Sequence, residues 1–219
     1  MSDAAIRRSG GRPTAQAAAR LESIILEAAT EAFLADGYAD TTIEAVARAC
    51  NVAKRTIYAR WNGKPALFRS VIELLMAKWL SAAGEWTETA NLEDALNQAA
   101  ARILSVALTP EAVALNRLLI AESARFPELP AMLHQAGASQ GRARIAALLD
   151  RAVADGKLPK LDTAFAAEQF MHLVLAGPQH RALGLGPRLD EKATGEWRKA
   201  AVELFLCGAY SWRLPRGQN

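Results

Sequence analysis

Apolar residues in this chain recur three and four positions apart, which is the spacing that lines one face of an α-helix. No stretch alternates apolar and polar residues over more than three or four positions, as a half-buried β-strand would require. The pattern therefore predicts an all-α fold. We expect helices over about 15–35, 42–50, 54–61, 64–83, 91–108, 110–125, 131–154, 162–182 and 190–210.

Capping and breaking residues set the expected helix ends. Thr41 and Glu44 have the spacing of a capping box at the start of the second helix. Gly37 and Asn51 follow two helices, and both residue types adopt the left-handed conformation that ends a helix. A break is expected at Gly177–Pro178, because proline removes a helical hydrogen bond. Residues 182–189 are expected to form a loop, and glycines 137 and 141 to kink the helix over 131–154.

Two short helices joined by a tight turn are predicted between residues 42 and 61, which is the helix-turn-helix arrangement that places its second helix in a DNA major groove. Charged stretches are usually only solvated surface. Here the bases coincide with a capped and regularly patterned helix pair, so the segment predicts DNA binding. The stretch from residue 45 to residue 72 has no acidic residue and six basic ones, which are Arg48, Lys54, Arg55, Arg60, Lys64 and Arg69.

The candidate DNA contacts divide by chemistry. Lys54 and Arg55 are expected to read base edges, since arginine is the commonest reader of guanine. Phosphate contacts, which fix the register of the protein on the duplex, are expected from Thr42, Tyr58, Arg60 and Lys64, and Thr56 lies among these residues on the same helix. Arg8 and Arg12 lie among serine, glycine and proline residues. That segment is either a disordered terminus or an arm that enters the minor groove.

Composition narrows the class of protein. Hydrophobic residues make up 51% of the 219 positions, which is too many for a disordered chain. No apolar run is long enough for a membrane span, and the basic N-terminus lacks the apolar segment of a secretion signal. Cys50 and Cys207 lie in unrelated segments and indicate reduced thiols, so we expect a cytoplasmic protein with no membrane partner. The net charge of +3 agrees with an anionic partner.

Motifs for catalysis, metal binding and cofactor binding are missing from the sequence. The three histidines form no H-x-x-x-H pair, and neither cysteine belongs to a C-x-x-C motif. A nucleophile elbow, a phosphate-binding loop and a dinucleotide fingerprint are also missing. We therefore expect no metal, no cofactor and no enzymatic activity.

The segment from residue 41 to residue 68 resembles the DNA-binding domain of the TetR/AcrR family of bacterial transcriptional repressors. It departs from the family pattern at Asn51, where glycine is usual, and at Ala53, where serine commonly caps the recognition helix. Alanine at this cap position lowers the stability of the helix by about 1 kcal/mol relative to serine. Trp61 replaces a usual phenylalanine. The residues that carry the resemblance are Thr42, Val46–Ala47, Lys54–Tyr58, Trp61 and Lys64–Phe68.

The C-terminal half is similar to the corresponding domain of the AefR-like branch of that family, through residues 118–129 and 166–170. This resemblance implies a basic arm and helix-turn-helix domain over 1–63, and a helical effector-binding and dimerisation domain over 64–219. It also implies a homodimer in which the last two long helices pair as a four-helix bundle and which faces a palindromic operator in double-stranded DNA. The expected anchors of the interface are Trp197, Ala201, Leu204 and Phe205.

The resemblance also implies a cavity for a small apolar or aromatic effector that releases DNA. For each lining candidate the alternative is an ordinary core or surface position. Two other functions remain open, namely a DNA-binding regulator without an effector, controlled by a protein partner or by abundance, and an all-α enzyme or carrier with an incidental basic helix. The candidate lining residues are Trp79, Trp86, Phe126, Met132, His134, Phe165, Met171 and His172.

Overall fold

The computed structural model describes residues 15–82, 84, 89, 91–133, 135–136 and 139–211. Within this part of the chain there are α-helices and no β-strands, so the all-α prediction is confirmed. The helices are α1 (Ala15–Asp40), α2 (Ile43–Ala49), α3 (Lys54–Tyr58), α4 (Lys64–Ala82), α5 (Leu92–Ala107), α6 (Pro110–Glu122), α7 (Glu128–Leu133), α8 (Ser139–Ala154), α9 (Thr163–Ala182) and α10 (Glu191–Tyr210).

The start of α2 is not capped by Thr41 and Glu44 as the sequence predicted. Thr42, and not Thr41, caps α2, because its hydroxyl oxygen accepts a hydrogen bond from the Ala45 amide at 3.1 Å. Thr41 is buried, and its hydroxyl donates to the carbonyl oxygen of Gly37 at 2.7 Å. Gly37 has the predicted left-handed φ of +86°, although helical geometry resumes as far as Asp40. Burial of Thr41 therefore decides which of two adjacent threonines serves as the cap.

The first hydrophobic cluster joins α1–α4 to α6 and α7. Its centre is a group of three aromatic rings, with Phe68 lying 4.8 Å from Phe33 and 5.0 Å from Tyr38 between centroids. On α1, Ile25 and Leu26 are buried, whereas the adjacent Ile24 is 41% exposed. The α4 residues in this cluster are Leu67, Phe68, Val71, Ile72, Leu75, Met76 and Trp79.

The second hydrophobic cluster joins α5, α8, α9 and α10. Phe170 of α9 and Phe205 of α10 meet edge to face with their ring centroids 5.1 Å apart. Asn91, Thr109, Asp162 and Asp190 cap α5, α6, α9 and α10 through their side-chain oxygens, as helix-start residues of these types are expected to do. Two separately packed clusters result. One link between them is the guanidinium of Arg102 on α5, which donates to the carbonyl oxygen of Leu80 on α4 at 2.8 Å.

Three predicted boundaries in the C-terminal half are wrong. The single helix expected over 131–154 is two helices, α7 and α8, and α6 ends at Glu122 rather than near Arg125. The break expected at Gly177–Pro178 does not occur, since α9 runs on to Ala182.

Trp197 of α10 gives the physical reason why α9 is not broken. Pro178 cannot donate to the carbonyl oxygen of Val174, which would leave that acceptor unpaired inside the helix. The indole N–H of Trp197 donates to this oxygen at 3.1 Å, and also to the carbonyl oxygen of Leu173 at 3.1 Å. Gly177 makes the approach possible, because a Cβ there would lie 2.3 Å from Cη2 of the tryptophan.

Across the described residues, no single helix is long and apolar enough to cross a membrane. Only α5 and α6 taken together reach that length and hydropathy, and they are bent by 73° relative to each other.

Candidate functional site: a nucleic-acid interface and a body cavity

Two buried residues orient α3, the second helix of the helix-turn-helix. Ile57 is fully buried and Trp61, one turn later, is 6% exposed, with its indole N–H donating to the Ser70 hydroxyl at 3.0 Å. This anchoring turns the opposite side of α3 to solvent, where Arg55 and Tyr58 are exposed. Thr56 is only partly exposed. The helix is therefore packed firmly on one side and presents a guanidinium and a phenol group to solvent on the other.

Asn51 and Ala53 shape the turn that leads into α3. Asn51 has a φ of +52°, as predicted for a left-handed position after α2. Ala53 occupies the N-cap of α3 and provides no side-chain hydrogen bond. The orphan amides at the start of α3 therefore lack the side-chain cap that serine would provide.

Lys54 differs from its expected role as a free reader of bases. Its ammonium forms an ion pair and hydrogen bond with the Glu44 carboxylate on α2, one residue before the acid-free stretch begins. This hydrogen bond lowers the pKa of Glu44 and raises the pKa of Lys54. Lys54 also lies 5.5 Å from the centre of the Tyr58 ring. Arg55 forms no ion pair with any described residue, so it is the more available of the two predicted base readers.

Lys64 is not placed as the phosphate contact that the sequence predicts. Its ammonium donates to the carbonyl oxygens of Tyr38, Ala39 and Thr41 at 2.8, 3.0 and 3.1 Å, and lies 4.6 Å from the centre of the Tyr38 ring. An ammonium has three protons, so these three acceptors satisfy it. Burial lowers the pKa of Lys64, although the nearby Glu122 carboxylate opposes this effect. Lys64 therefore fastens the start of α4 to the α1–α2 corner.

The remaining predicted DNA contacts lie around α3. Thr42 is exposed, and its hydroxyl proton stays available because the oxygen acts as acceptor in the cap. Arg60 is exposed and donates to the carbonyl oxygen of Ala18 on α1 at 3.4 Å. Arg8 and Arg12 lie outside the described residues. The surface formed by Thr42, Arg55, Tyr58 and Arg60 is called the head surface below.

The head (α1–α3) and the body (α4–α10) are connected by a junction that sequence patterns did not reveal. Glu122, at the end of α6, accepts a hydrogen bond from the Ala39 amide at 3.0 Å. Phe126, just beyond α6, packs its ring edge to face against Tyr38 with the centroids 4.8 Å apart. The contact joins positions that are 83 residues apart, so no local pattern could have indicated it.

A cavity of about 240 Å³ lies in the body, next to α4 and the first half of α6. Its walls are mainly apolar, with the amides of Asn116 and Gln179 and two arginines among the polar groups. The described lining residues are Met76, Trp79, Leu80, Arg102, Ile103, Val106, Ala107, Ala112, Leu115, Asn116, Leu133, Gln140, Gly141, Arg144, Met171, Leu175 and Gln179.

Of the predicted lining residues, Trp79 and Met171 lie in the cavity wall. Phe126 and Met132 pack into the first hydrophobic cluster, because the chain turns towards the head after α6. Trp86 and His134 lie outside the described residues. Phe165 and His172, two turns apart on α9, are exposed and are not among the residues that line the cavity.

The predicted dimer anchors occupy two different environments. Ala201 and Phe205 are buried within the chain, and Trp197 bonds to α9 as described above. Trp197 and Phe205 contact α9, Phe205 through the ring of Phe170. Leu204, which lies two turns after Trp197 on the same side of α10, is 62% exposed. The apolar groups that remain outward on the last two helices thus include Leu204 and Phe165, which is 44% exposed.

Comparisons with family models match both halves of the chain. Residues 25–71 match the model described as bacterial regulatory proteins of the tetR family. Residues 94–211, more than half of the chain, match the model described as the C-terminal domain of AefR-like transcriptional repressors.

Individual proteins give the same assignment. The chain is similar to the flavonoid-responsive regulator FrrA, with 31% identity, 89% of this chain and 100% of that chain covered, and a TM-score of 0.75. A TetR-family transcriptional regulator from Mesorhizobium loti MAFF303099 has 28% identity, 87% and 96% coverage and a TM-score of 0.73. The HTH-type transcriptional regulator YhgD of Bacillus subtilis (strain 168) is 39% identical over 67 residues, which span 31% of this chain and only 35% of YhgD.

Proposed function

Because the chain belongs to the TetR family of DNA-binding transcriptional regulators, which are not enzymes, we propose that it is a dimeric repressor. In this proposal the head surface binds one half of a palindromic operator, and a small aromatic effector in the body cavity releases the DNA. The observation that carries the proposal is the anchoring of α3, which buries Ile57 and Trp61 and turns Arg55 outward beside Tyr58.

Arg55 is the proposed base reader, since its guanidinium suits bidentate hydrogen bonds to guanine in the major groove. Thr42, Tyr58 and Arg60 hold phosphates and fix the register of α3. The ion pair with Glu44 largely neutralises the charge of Lys54, so Lys54 contributes less to DNA binding than Arg55 does.

The proposed dimer uses the outward faces of α9 and α10, where Leu204 and Phe165 are exposed. Exposed apolar side chains on adjacent long helices are stabilised when a second subunit covers them. Two-fold symmetry would then place the recognition helices about 34–36 Å apart, or a multiple of that distance, to match successive major grooves. Light scattering at micromolar concentration is expected to give twice the mass of the chain, and a stable monomer would contradict the proposal.

The proposed effector is an apolar aromatic compound. The cavity has apolar walls and a few amides, which is the usual make-up of a small-molecule site. FrrA, the 31%-identical relative, is named for its response to flavonoids, and this name supports an effector with fused or linked aromatic rings.

Release of DNA requires the effector to prefer a conformation in which the two heads are wrongly spaced. A 100-fold loss of operator affinity corresponds to about 2.7 kcal/mol of that preference. Two connections are suited to transmit it. The first is α4, which lines the cavity and begins at Lys64, the residue bonded to the α1–α2 corner (the Lys64 clamp). The second is α6, which lines the cavity and ends at Glu122, the residue bonded to the Ala39 amide.

The test measures operator affinity by fluorescence anisotropy with and without saturating flavone, a flavonoid parent compound. Flavone is expected to weaken operator binding, and operator DNA must weaken flavone binding by the same factor because the coupling is reciprocal. If flavone binds but leaves operator affinity unchanged, the effector part of the proposal is wrong. A regulator controlled by a protein partner or by abundance is then the better description.

A further inference from the structure

We propose that Trp79 selects the effector, and that its indole N–H donates a hydrogen bond to a carbonyl oxygen on a flat aromatic ligand. The inference rests on the proposed function of the cavity and specifies the ligand class further, as aromatic ketones rather than aromatic hydrocarbons. It also makes Trp79 the side chain through which ligand binding changes α4, the helix that connects the cavity to the head.

The indole nitrogen of Trp79 is a buried donor without a partner. Trp79 is 5% exposed, and its Nε1 has no hydrogen-bond acceptor among the described residues. Buried donors are nearly always bonded in folded proteins, so an unpaired one needs an explanation. The same side chain forms part of the cavity wall. An acceptor brought in by a ligand would therefore satisfy a donor that no described residue pairs with.

The indole has to turn for this bond to form, because Nε1 itself has almost no accessible surface in this structure. Its neighbours in the wall include Met76 and Met171, whose unbranched thioether side chains adapt to changes in shape. A turn of the Trp79 ring acts directly on α4, the helix that begins at the Lys64 clamp. Recognition of the carbonyl and a change in the connecting helix are thus one event.

The other walls favour a compact ring system. Ile103, Val106 and Leu115 supply apolar surface from α5 and α6, and the volume of about 240 Å³ lies at the small end of ligand sites. Asn116 and Gln179 offer amide groups from α6 and α9 for a second polar atom of the ligand. A planar molecule of two or three rings with one carbonyl fits this combination better than a long acyl chain does.

Two probes of the same ring outline separate hydrogen bonding from apolar contact. Flavone has the ring carbonyl, and 2-phenylnaphthalene has neither carbonyl nor ether oxygen. Equilibrium dialysis gives the dissociation constant of each probe for the wild-type dimer and for Trp79→Phe, which keeps an aromatic ring and removes the N–H. Met171→Leu is the matched control, because it changes the cavity wall without removing a hydrogen-bond donor.

Trp79→Phe is expected to weaken flavone binding by about 2- to 13-fold, the range for one net hydrogen bond, and to leave 2-phenylnaphthalene binding close to that of the wild-type protein. Met171→Leu should affect the two probes alike. Equal losses for both probes in Trp79→Phe would overturn the proposal. So would a failure of the wild-type protein to bind flavone.

A second readout is made on the wild-type protein and uses a variant only to assign one signal. In wild-type protein labelled with ¹⁵N-tryptophan, the indole signal that disappears in Trp79→Phe is expected to move downfield with flavone. An unmoved signal at saturation would contradict the hydrogen bond. The outcome for regulation is separate. If flavone binding depends on the Trp79 N–H but flavone does not change operator affinity, this inference is supported and the proposed release of DNA is refuted.

Discussion

Replacing Lys64 with methionine tests whether this residue stabilises the fold or binds phosphate. Methionine keeps an unbranched apolar stem and removes all three donors from the carbonyl oxygens of Tyr38, Ala39 and Thr41. A hydrogen bond to a charged group contributes about 1.5–3 kcal/mol, but these three share one ammonium and their acceptors can be rehydrated. Burial of the charge, which lowers the pKa of Lys64, offsets a further part. We therefore expect a loss of about 2–4 kcal/mol.

The assay is urea denaturation at a fixed protein concentration, followed by circular dichroism. The control is Lys78→Met on the same helix, which removes an exposed ion pair with Glu111 at 3.3 Å. Pairs of this kind contribute about 0–1 kcal/mol, so the control should stay close to wild type. Lys64→Met should also leave the salt dependence of DNA binding unchanged.

The reasoning about Lys64 would be refuted by the opposite pair of results. These are an unfolding free energy equal to that of the control, together with a slope of log affinity against log salt that is smaller by about 0.9, the value for one phosphate contact. Such a result would mean that the ammonium leaves its three carbonyl acceptors when DNA is present.

Three further predictions follow from other contacts. Trp197→Phe, which takes the indole donor away from α9, should lower the free energy of unfolding by about 1–3 kcal/mol in the same urea assay, and an unchanged value would contradict the role given to it. In an NMR titration, the pKa of Glu44 should lie below the ordinary 4.5 and return towards 4.5 in Lys54→Met. The stability that this ion pair adds is present above pH 4.5 and is lost as the pH falls through the lowered pKa of Glu44. Glu122→Ala should reduce the effect of flavone on operator affinity several-fold while flavone still binds, whereas full retention of that effect would exclude the junction as a route of coupling.

Features that depend on local chemistry were predictable from the sequence. The left-handed Asn51 and the uncapped start of α3 agree with expectation, and the caps at Asn91, Thr109 and Asp162 are residue types that commonly begin helices. Each depends on hydrogen bonds or backbone angles within a few residues. The inward face of α4 was predictable for the same reason, since its apolar spacing is regular.

Features decided by distant contacts were not predictable. Lys64 has the position and charge of a phosphate ligand, but its acceptors lie 23 to 26 residues earlier in the chain. α9 passes through Pro178 only because Trp197, on another helix, bonds to the freed carbonyl oxygen. Which aromatic residues line the cavity depends on how the helices cross, so Trp79 and Phe126, both plausible from sequence, lie in different places.

The most direct test of DNA recognition by α3 compares wild-type protein with Arg55→Ala on two duplexes. One duplex carries an inverted repeat to be identified by searching the DNA upstream of the gene for this protein, and the other has the same composition in scrambled order. The wild-type protein should prefer the repeat, and Arg55→Ala should lose about 1–3 kcal/mol of that preference, concentrated at one base pair of each half-site. Equal losses on both duplexes, or no wild-type preference at a salt concentration where binding is measurable, would contradict the account.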